Sequence, residues 1–326
     1  MQRAPGLARR GLLAAAWCAG CVVFSAAQNS PTPPSAIADE LRARLESRLQ
    51  EIAAHVDGVV GYAVLDLTSG ERIGHLDREV FPTASTIKLA IVYELFKQVE
   101  EGRVRLDQTI TLDRTKAVGG SGVLFEMGTP TLSVRDYATL MVIVSDNTAT
   151  NVLIDLLGMD AIGARMRGLG LNATKLRRHM IDLAAARRGD ENVSTPDEIV
   201  RLLAMLHGSA GPNASGAPDG NEAARRLSAA SREQAVALLE KPKASRLRKA
   251  LPPGVETADK PGELEGVRVD AGIVFAKNRP YILCVMTTYL KDEAEGEHAI
   301  EEISRAAYQH FSRLGAGLQY GRQIGR

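Results

Sequence analysis

Ser85 and Lys88, three residues apart in "FPTASTIKLAIVYELFK", are the first pair in the chain whose types and spacing could do chemistry. A serine hydroxyl attacks a carbonyl only when a base takes its proton. A lysine can be that base when burial or nearby positive charge keeps it neutral part of the time. Residues i and i+3 meet on one face of a helix. The apolar continuation Leu89, Ile91, Val92 and Leu95 sets Lys88 against a core. The alternative is a serine near a helix start beside a solvated lysine, and the pair alone does not decide.

Two further clusters lie downstream. Ser145-Asp146-Asn147 interrupts the apolar run of "LMVIVSDNTATNVLID". Polar groups in such a place need partners, either as a helix N-cap or as part of a site. "DKPGELEGVRVDAGIV" then carries Lys260, Gly262 and Arg268. A lysine and a glycine at a strand start let a backbone approach a ligand closely. Taken in order, S-x-x-K, S-D-N and K-[T]-G resemble the signature set of class A β-lactamases and penicillin-binding proteins. The flanks "GGSGVL", "SDNTATN", "STPDEIVRLL" and "GVRVDAGIV" are similar too, so the resemblance runs from about Ala36 to the C-terminus.

The resemblance implies roles. Ser85 becomes the acylated nucleophile and Lys88 its proton partner. Ser145 passes a proton to the leaving lactam nitrogen, and Asn147 bonds the substrate's side-chain amide. Lys260 supplies positive charge beside Ser145 and toward the substrate carboxylate. Arg268 falls at the position that supports that carboxylate, allowing a one-residue shortening after Gly262. The backbone N–H groups of Ser85 and Glu263 form the oxyanion hole.

Two departures stand out. Aligned on the family's omega loop, "TKLRRHMIDLAAARRGDENVSTP" places Met180 where a general-base glutamate is expected and Ala184 where an asparagine is expected. A thioether takes no proton from water, so the departure bears on release of the acyl group. Asp182 is the substitute carboxylate, unless it forms a salt bridge with Arg177 or Arg178; Glu191 is a more distant candidate. Pro261 replaces the threonine of K-T-G, offering neither hydroxyl nor N–H. Three functions follow as expectations: a β-lactam hydrolase, a penicillin-binding acyl-acceptor or peptidoglycan-peptide hydrolase with slow release, and a non-catalytic binding module.

These residues need a frame. Ala36–Val56 has helical apolar spacing at Ile37, Leu41, Leu45, Leu49 and Ile52. "GVVGYAVLDLTSGERIGHL" alternates around a turn and reads as a hairpin. A helical section spans about Ser85 to Leu206. "VRVDAGIVFAK" and "RPYILCVMTTYL" read as strands paired about Lys277-Asn278, and "EHAIEEISRAAYQHFSRL" as an amphipathic helix. This order predicts an α/β (α+β) fold: an antiparallel sheet built from both chain ends, flanking helices and an inserted all-α lobe. The expected division is residues 36–83 and 225–326 for the sheet part and 84–224 for the helical part. The Gly/Pro-rich stretch Gly208–Glu222 reads as a mobile exposed loop.

The N-terminus has basic residues (Arg3, Arg9, Arg10), an apolar stretch (Gly11–Ala27) and small residues at Ser25-Ala26-Ala27. This pattern predicts an export signal over 1–27 and a linker over 28–35, the alternative being a membrane anchor. Periplasmic or secreted localisation follows, without lipoprotein anchoring at Cys21. Cleavage removes Cys18 and Cys21 and leaves Cys284, read as a buried strand residue. No Cys/His cluster has metal-ligand spacing, so no metal or cofactor is expected. Lys and Arg total 40 against 39 Asp and Glu, which points away from nucleic acid. The expected partner is a small β-lactam or a peptidoglycan peptide, bound by a monomer.

Overall fold

Both ends of the chain contribute to one antiparallel sheet. The computed structural model describes residues 36–209, 226–318 and 321–322. The expected export signal, the linker, Cys21 and most of the Gly208–Glu222 loop lie outside them. Helix α1 (Ala36–Ala54) leads into β1 (Val59–Asp66) and β2 (Arg72–His75). The short strand β3 (Phe81–Pro82) precedes α2 (Lys88–Glu100). Next come β4 (Thr109–Thr111), β5 (Thr131–Ser133), α3 (Val134–Ile143), α4 (Asn147–Leu157) and α5 (Met159–Gly168). A long loop holds α6 (Leu183–Arg187) and ends in β6 (Val193–Ser194), before α7 (Pro196–His207) and α8 (Ala229–Glu240). The short α9 (Arg246–Lys249), strands β7 (Thr257–Leu264), β8 (Val267–Val274) and β9 (Tyr281–Thr288), and α10 (Glu293–Ala316) complete the described chain.

The five-stranded sheet has the order β2-β1-β9-β8-β7. The N-terminal hairpin joins the C-terminal strands through Val59–Asp66 paired antiparallel with Tyr281–Thr288. Side chains alternate between two faces. Ala63, Leu65, Val269, Ala271, Ile273, Ile282, Cys284 and Met286 join one core with α2, α4 and α7. Val60, Tyr62, Val64, Val274, Leu283 and Val285 join the other with α1 and α10. Both faces are covered, so β1 and β9 are nearly continuous apolar runs. Cys284 is buried as expected, and burial pushes its thiol far up.

Some expectations shift. In α1, Leu45, Leu49 and Ile52 reach the core, but Ile37 is 59% exposed. Helix α8 lies within the expected sheet part, yet its Ala235, Leu238 and Leu239 join the same core as α2 and α7. The K-P-G triplet sits in mid-strand rather than at a strand start, because β7 begins at Thr257. Pro261 is accommodated because β7 is an edge of the sheet. Among the described residues no helix is long and apolar enough to cross a membrane.

Candidate active site

The chain leaves β3 through a tight 3-10 turn, Ala84–Ile87, with Ala84 in the left-handed region (φ +47°). In 3-10 geometry residues i and i+3 eclipse. Ser85 therefore meets Lys88 in this turn, and Lys88 is the first residue of α2. The turn is anchored twice. Thr83 donates its N–H and its hydroxyl to Asn192 O, each at 3.0 Å. Thr86 Oγ1 donates to Lys260 O on β7 at 3.2 Å. β7 runs so close to the turn that a Cβ on Gly262 would lie 2.8 Å from Ser85 N and Thr83 O. The glycine of K-P-G is thus fixed by the approach of two backbones.

Ser145 bridges α3 and α4 in a left-handed conformation (φ +54°). Asp146 caps α4, its Oδ1 accepting from Ala149 N at 2.8 Å. Its Oδ2 accepts from Val123 N (2.7 Å) and Leu124 N (2.9 Å), which ties the "GGSGVL" loop to the head of α4. Asn147 Nδ2 donates to Gly119 O of that loop at 3.0 Å. The S-D-N triplet therefore holds one serine, one cap and one loop clamp in register.

The buried Lys88 Nζ lies 3.0 Å from Ser85 Oγ, 2.9 Å from Ser145 Oγ, 2.7 Å from Ser145 O and 3.3 Å from Asn147 Oδ1. An ammonium has only three donors. A neutral amine has two donors and a lone pair, and that lone pair can accept a proton from one of the hydroxyls. Burial, then the positive charge of Lys260, drives Lys88 far below the ordinary lysine range, with Asp146 opposing. Lys260 Nζ donates to Pro261 O at 2.7 Å and to Ser145 Oγ at 3.2 Å. Burial brings Lys260 down to about 7, against the counter-charge of Asp270. Ser145 thus stands between two lysines, beside a cavity of about 180 Å³ that also exposes Ser85, Gly262 and Glu263. The arrangement can take a proton from Ser85, hold it on Lys88 and hand it onward through Ser145.

Ser85, Lys88, Ser145, Asn147, Lys260 and Gly262 converge here, and Glu263 borders the cavity. Arg268 does not. It stands opposite Glu263 on β8, so its side chain leaves the sheet on the α10 face. There it donates to Leu264 O and Val267 O, both at 2.9 Å, and to Glu297 Oε1 at 3.1 Å. It lines a neighbouring cavity of about 380 Å³ instead. Asp182 is also committed elsewhere: it caps α6, accepting from Ala185 N at 2.9 Å. Neither arginine pairs with it, since Arg178 binds Glu191 at 2.8 Å. That ion pair occupies Glu191 as well.

Sequence reasoning missed Asn151. It lies one helical turn beyond Asn147 on α4, and that spacing was the available signal. Its Oδ1 accepts from Met180 N at 2.8 Å, and its Nδ2 donates to Met180 O at 3.1 Å. Residue 180 is therefore pinned through its peptide groups, with the thioether buried in the core. Also unforeseen was Asp270, across the ladder from Pro261. Burial, then the nearby Asp259, raises its carboxyl to about 7. Among the described residues no group of His, Cys, Asp and Glu could hold a metal ion.

Residues 44–311 match the family described as the beta-lactamase enzyme family. The chain is 29% identical over 299 residues to beta-lactamase AST-1 of Nocardia asteroides, covering 90% of this chain and 92% of that protein. Among solved structures, the class A beta-lactamase reconstructed for the last common ancestor of Gram-negative bacteria is 30% identical. Its TM-score is 0.72 over 82% of this chain and 99% of that one. PBP-A, solved as a leucine-to-glutamate variant in an acyl-enzyme complex with penicillin G, is 26% identical. Its TM-score is 0.71 over 82% of this chain and 96% of that one.

Proposed function

The chain belongs to the beta-lactamase enzyme family and is a class A β-lactamase-like serine hydrolase, and we propose that it opens β-lactams through an acyl-enzyme on Ser85 that is released slowly. One observation carries the first half: a single buried amine, Lys88 Nζ, lies within 3.0 Å of both the Ser85 and the Ser145 hydroxyl oxygens. Neutral Lys88 takes the Ser85 proton as Oγ bonds to the lactam carbonyl carbon. The carbonyl electron pair moves to oxygen, facing the N–H groups of Ser85 and Glu263. Fixed donors of this kind are worth about 3 kcal/mol each. The C–N bond then breaks, and the proton passes from Lys88 through Ser145 Oγ to the departing nitrogen. Charged Lys260 favours an anionic substrate group beside Ser145.

Slow release rests on residue 180. The Asn151 clamp sets this position against α4, and the residue there is a thioether, which cannot activate water. Asp182 and Glu191 are held by other partners. The same gap supports a second reading on the same chemistry, a penicillin-binding acyl-acceptor or peptidoglycan-peptide hydrolase. The relative crystallised as an acyl-enzyme with penicillin G supports benzylpenicillin as the first ligand to try. Export as a monomer, outside the cytoplasm, belongs to the same proposal, on the basic, apolar and small-residue pattern between Arg3 and Ala27.

Intact-protein mass spectrometry after mixing with benzylpenicillin tests the reading. The expected result is one adduct, absent in Ser85→Ala, that lasts minutes or longer, with slow turnover of a chromogenic cephalosporin. Neither adduct nor turnover would sink the proposal. An adduct that clears within seconds would remove the slow-release half and leave a fast hydrolase.

A further inference from the structure

We propose that the groove between α3 and α8 is a second ligand site, separate from the serine cavity, and that it takes a straight-chain carboxylate: an alkyl body with one anionic head. The cavity holds about 400 Å³, within the range of small-molecule sites. Phe96 of α2, Leu106, Ala138 of α3 and Leu238 of α8 form its floor. Phe96, Ala138 and Leu238 are buried members of the main core, and Leu106 packs against it. Helical spacing builds the walls. Gln234, Ala237, Leu238 and Lys241 stand at i, i+3, i+4 and i+7, along one face of α8 to its C-cap. Arg135, Ala138 and Thr139 stand at i, i+3 and i+4 of α3. Ala138 and Ala237 stop at Cβ, so the two helices leave open a trench that longer side chains would close.

The rim of the trench is positive. Arg135 and Lys241 are both exposed there. Neither side chain has a hydrogen bond or ion pair among the described residues. Asp107 senses Arg135 only from further off, and is itself bonded to Arg105 at 2.8 Å. Asp136, the carboxylate in the lining, accepts from Ser133 Oγ at 2.6 Å at the start of α3. An apolar floor under uncompensated positive charge complements an anion that carries a hydrocarbon body. Burial of each methylene stabilises such a complex, and the head finds a counter-charge while it stays in water. A cation with the same body would meet like charges. From Gln234 to Lys241 the wall of α8 runs about 10 Å, which suits an extended chain such as that of decanoate. This lining shares no residue with that of the serine cavity.

Titration calorimetry with decanoate, kept below its micelle-forming concentration, tests the site. Decanol and decyltrimethylammonium carry the same tail with a neutral and a positive head. The expected result is saturable one-to-one binding of decanoate, about 5-fold weaker binding of decanol and no binding of the cation. Arg135→Gln combined with Lys241→Gln should weaken decanoate about 5-fold, to the level of decanol, with the melting temperature unchanged. Ala237→Leu places a good helix former at an exposed position, and should fill the trench and abolish binding. Should it show no melting transition, Thr139→Leu on the facing helix replaces it with the same expected result. No binding of decanoate, uptake without saturation, decanol bound as tightly as decanoate, or binding that survives the filling variant would each overturn the inference. None of these readouts involves a β-lactam, so their failure leaves the proposed function where it stands.

Discussion

Replacing Gly262 by alanine should both slow acylation and destabilise the fold. The new Cβ would lie 2.8 Å from Ser85 N and Thr83 O and 2.9 Å from Thr86 N, where ordinary contact begins at 3.4 Å. All three atoms are backbone, so no side chain can rotate aside. About 0.6 Å of separation between β7 and the serine turn is required, the difference between 3.4 and 2.8 Å. The turn cannot yield freely, because Thr83 is held by Asn192 O and Thr86 by Lys260 O. Overpacking of this kind costs about 1–3 kcal/mol. The separation also parts Ser85 N from the strand that carries Glu263 N, and so widens the proposed oxyanion pocket. A misplacement of about 1 Å can cost about 100-fold in rate, so 0.6 Å should cost about 10- to 50-fold. Quenched-flow mass spectrometry with benzylpenicillin measures the rate, and thermal melting measures stability. Gly128→Ala is the control, since a Cβ there meets nothing within 4 Å. If Gly262→Ala acylates within about 2-fold of wild type, the close approach of β7 does not organise the chemistry and the reasoning fails.

Other outcomes follow from the same geometry. Met180→Glu, held by the Asn151 clamp, should speed deacylation about 100-fold at some loss of melting temperature; an unchanged adduct lifetime would mean that water does not reach this position. Acylation should rise with pH as Lys88 loses its proton and fall above about 7 as Lys260 loses its own. Lys260→Arg should remove the falling limb, read from rate against pH. Because Lys260 is lowered from 10.5 to about 7 in the fold, the unfolded chain binds more protons between those values. Stability should therefore gain with pH across that window through this group, and Lys260→Met should lose the gain in pH-dependent melts. Arg268→Ala should lower the melting temperature through its lost partners on α10, yet leave acylation by benzylpenicillin within about 3-fold, as removal of a group outside the reacting pocket should.

The parts of this molecule that were legible before folding are those set by local pattern. The hairpin of β1 and β2, the β8–β9 pair and the terminal helices follow from alternation and helical spacing. The three motifs could be ordered along the chain because each keeps its own few residues together. What could not be read was parity and partnership across the sheet. Arg268 is two residues before Asp270 and opposite Glu263, and that register alone turns it away from Ser85. Counting residues after Gly262 carries no information about which face a side chain takes, since one step in register reverses it. Asp182 failed for a different reason. An aspartate one residue before a short helix serves first as its cap, and the start of α6 was not visible in so short a segment. Asn151 was overlooked because its partner is a backbone, so that only its spacing from Asn147, and not the type of its partner, pointed to it.

The route of the chain through the sheet also sets when the site can exist. Ser85 and Lys88 are made early, beside a hairpin whose β1 has its long partner in β9, more than two hundred residues later. Until the C-terminal strands dock, β1 has an open edge, Lys88 lacks the neighbouring charge of Lys260, and the serine turn lacks the strand that braces it. Pairings of such sequence separation form slowly. The reactive serine should therefore be silent through most of folding and switch on only with the last strand to arrive. A β-lactam probe that labels Ser85 would then serve as a clock for completion of the fold, reporting sheet closure rather than the earlier growth of helices.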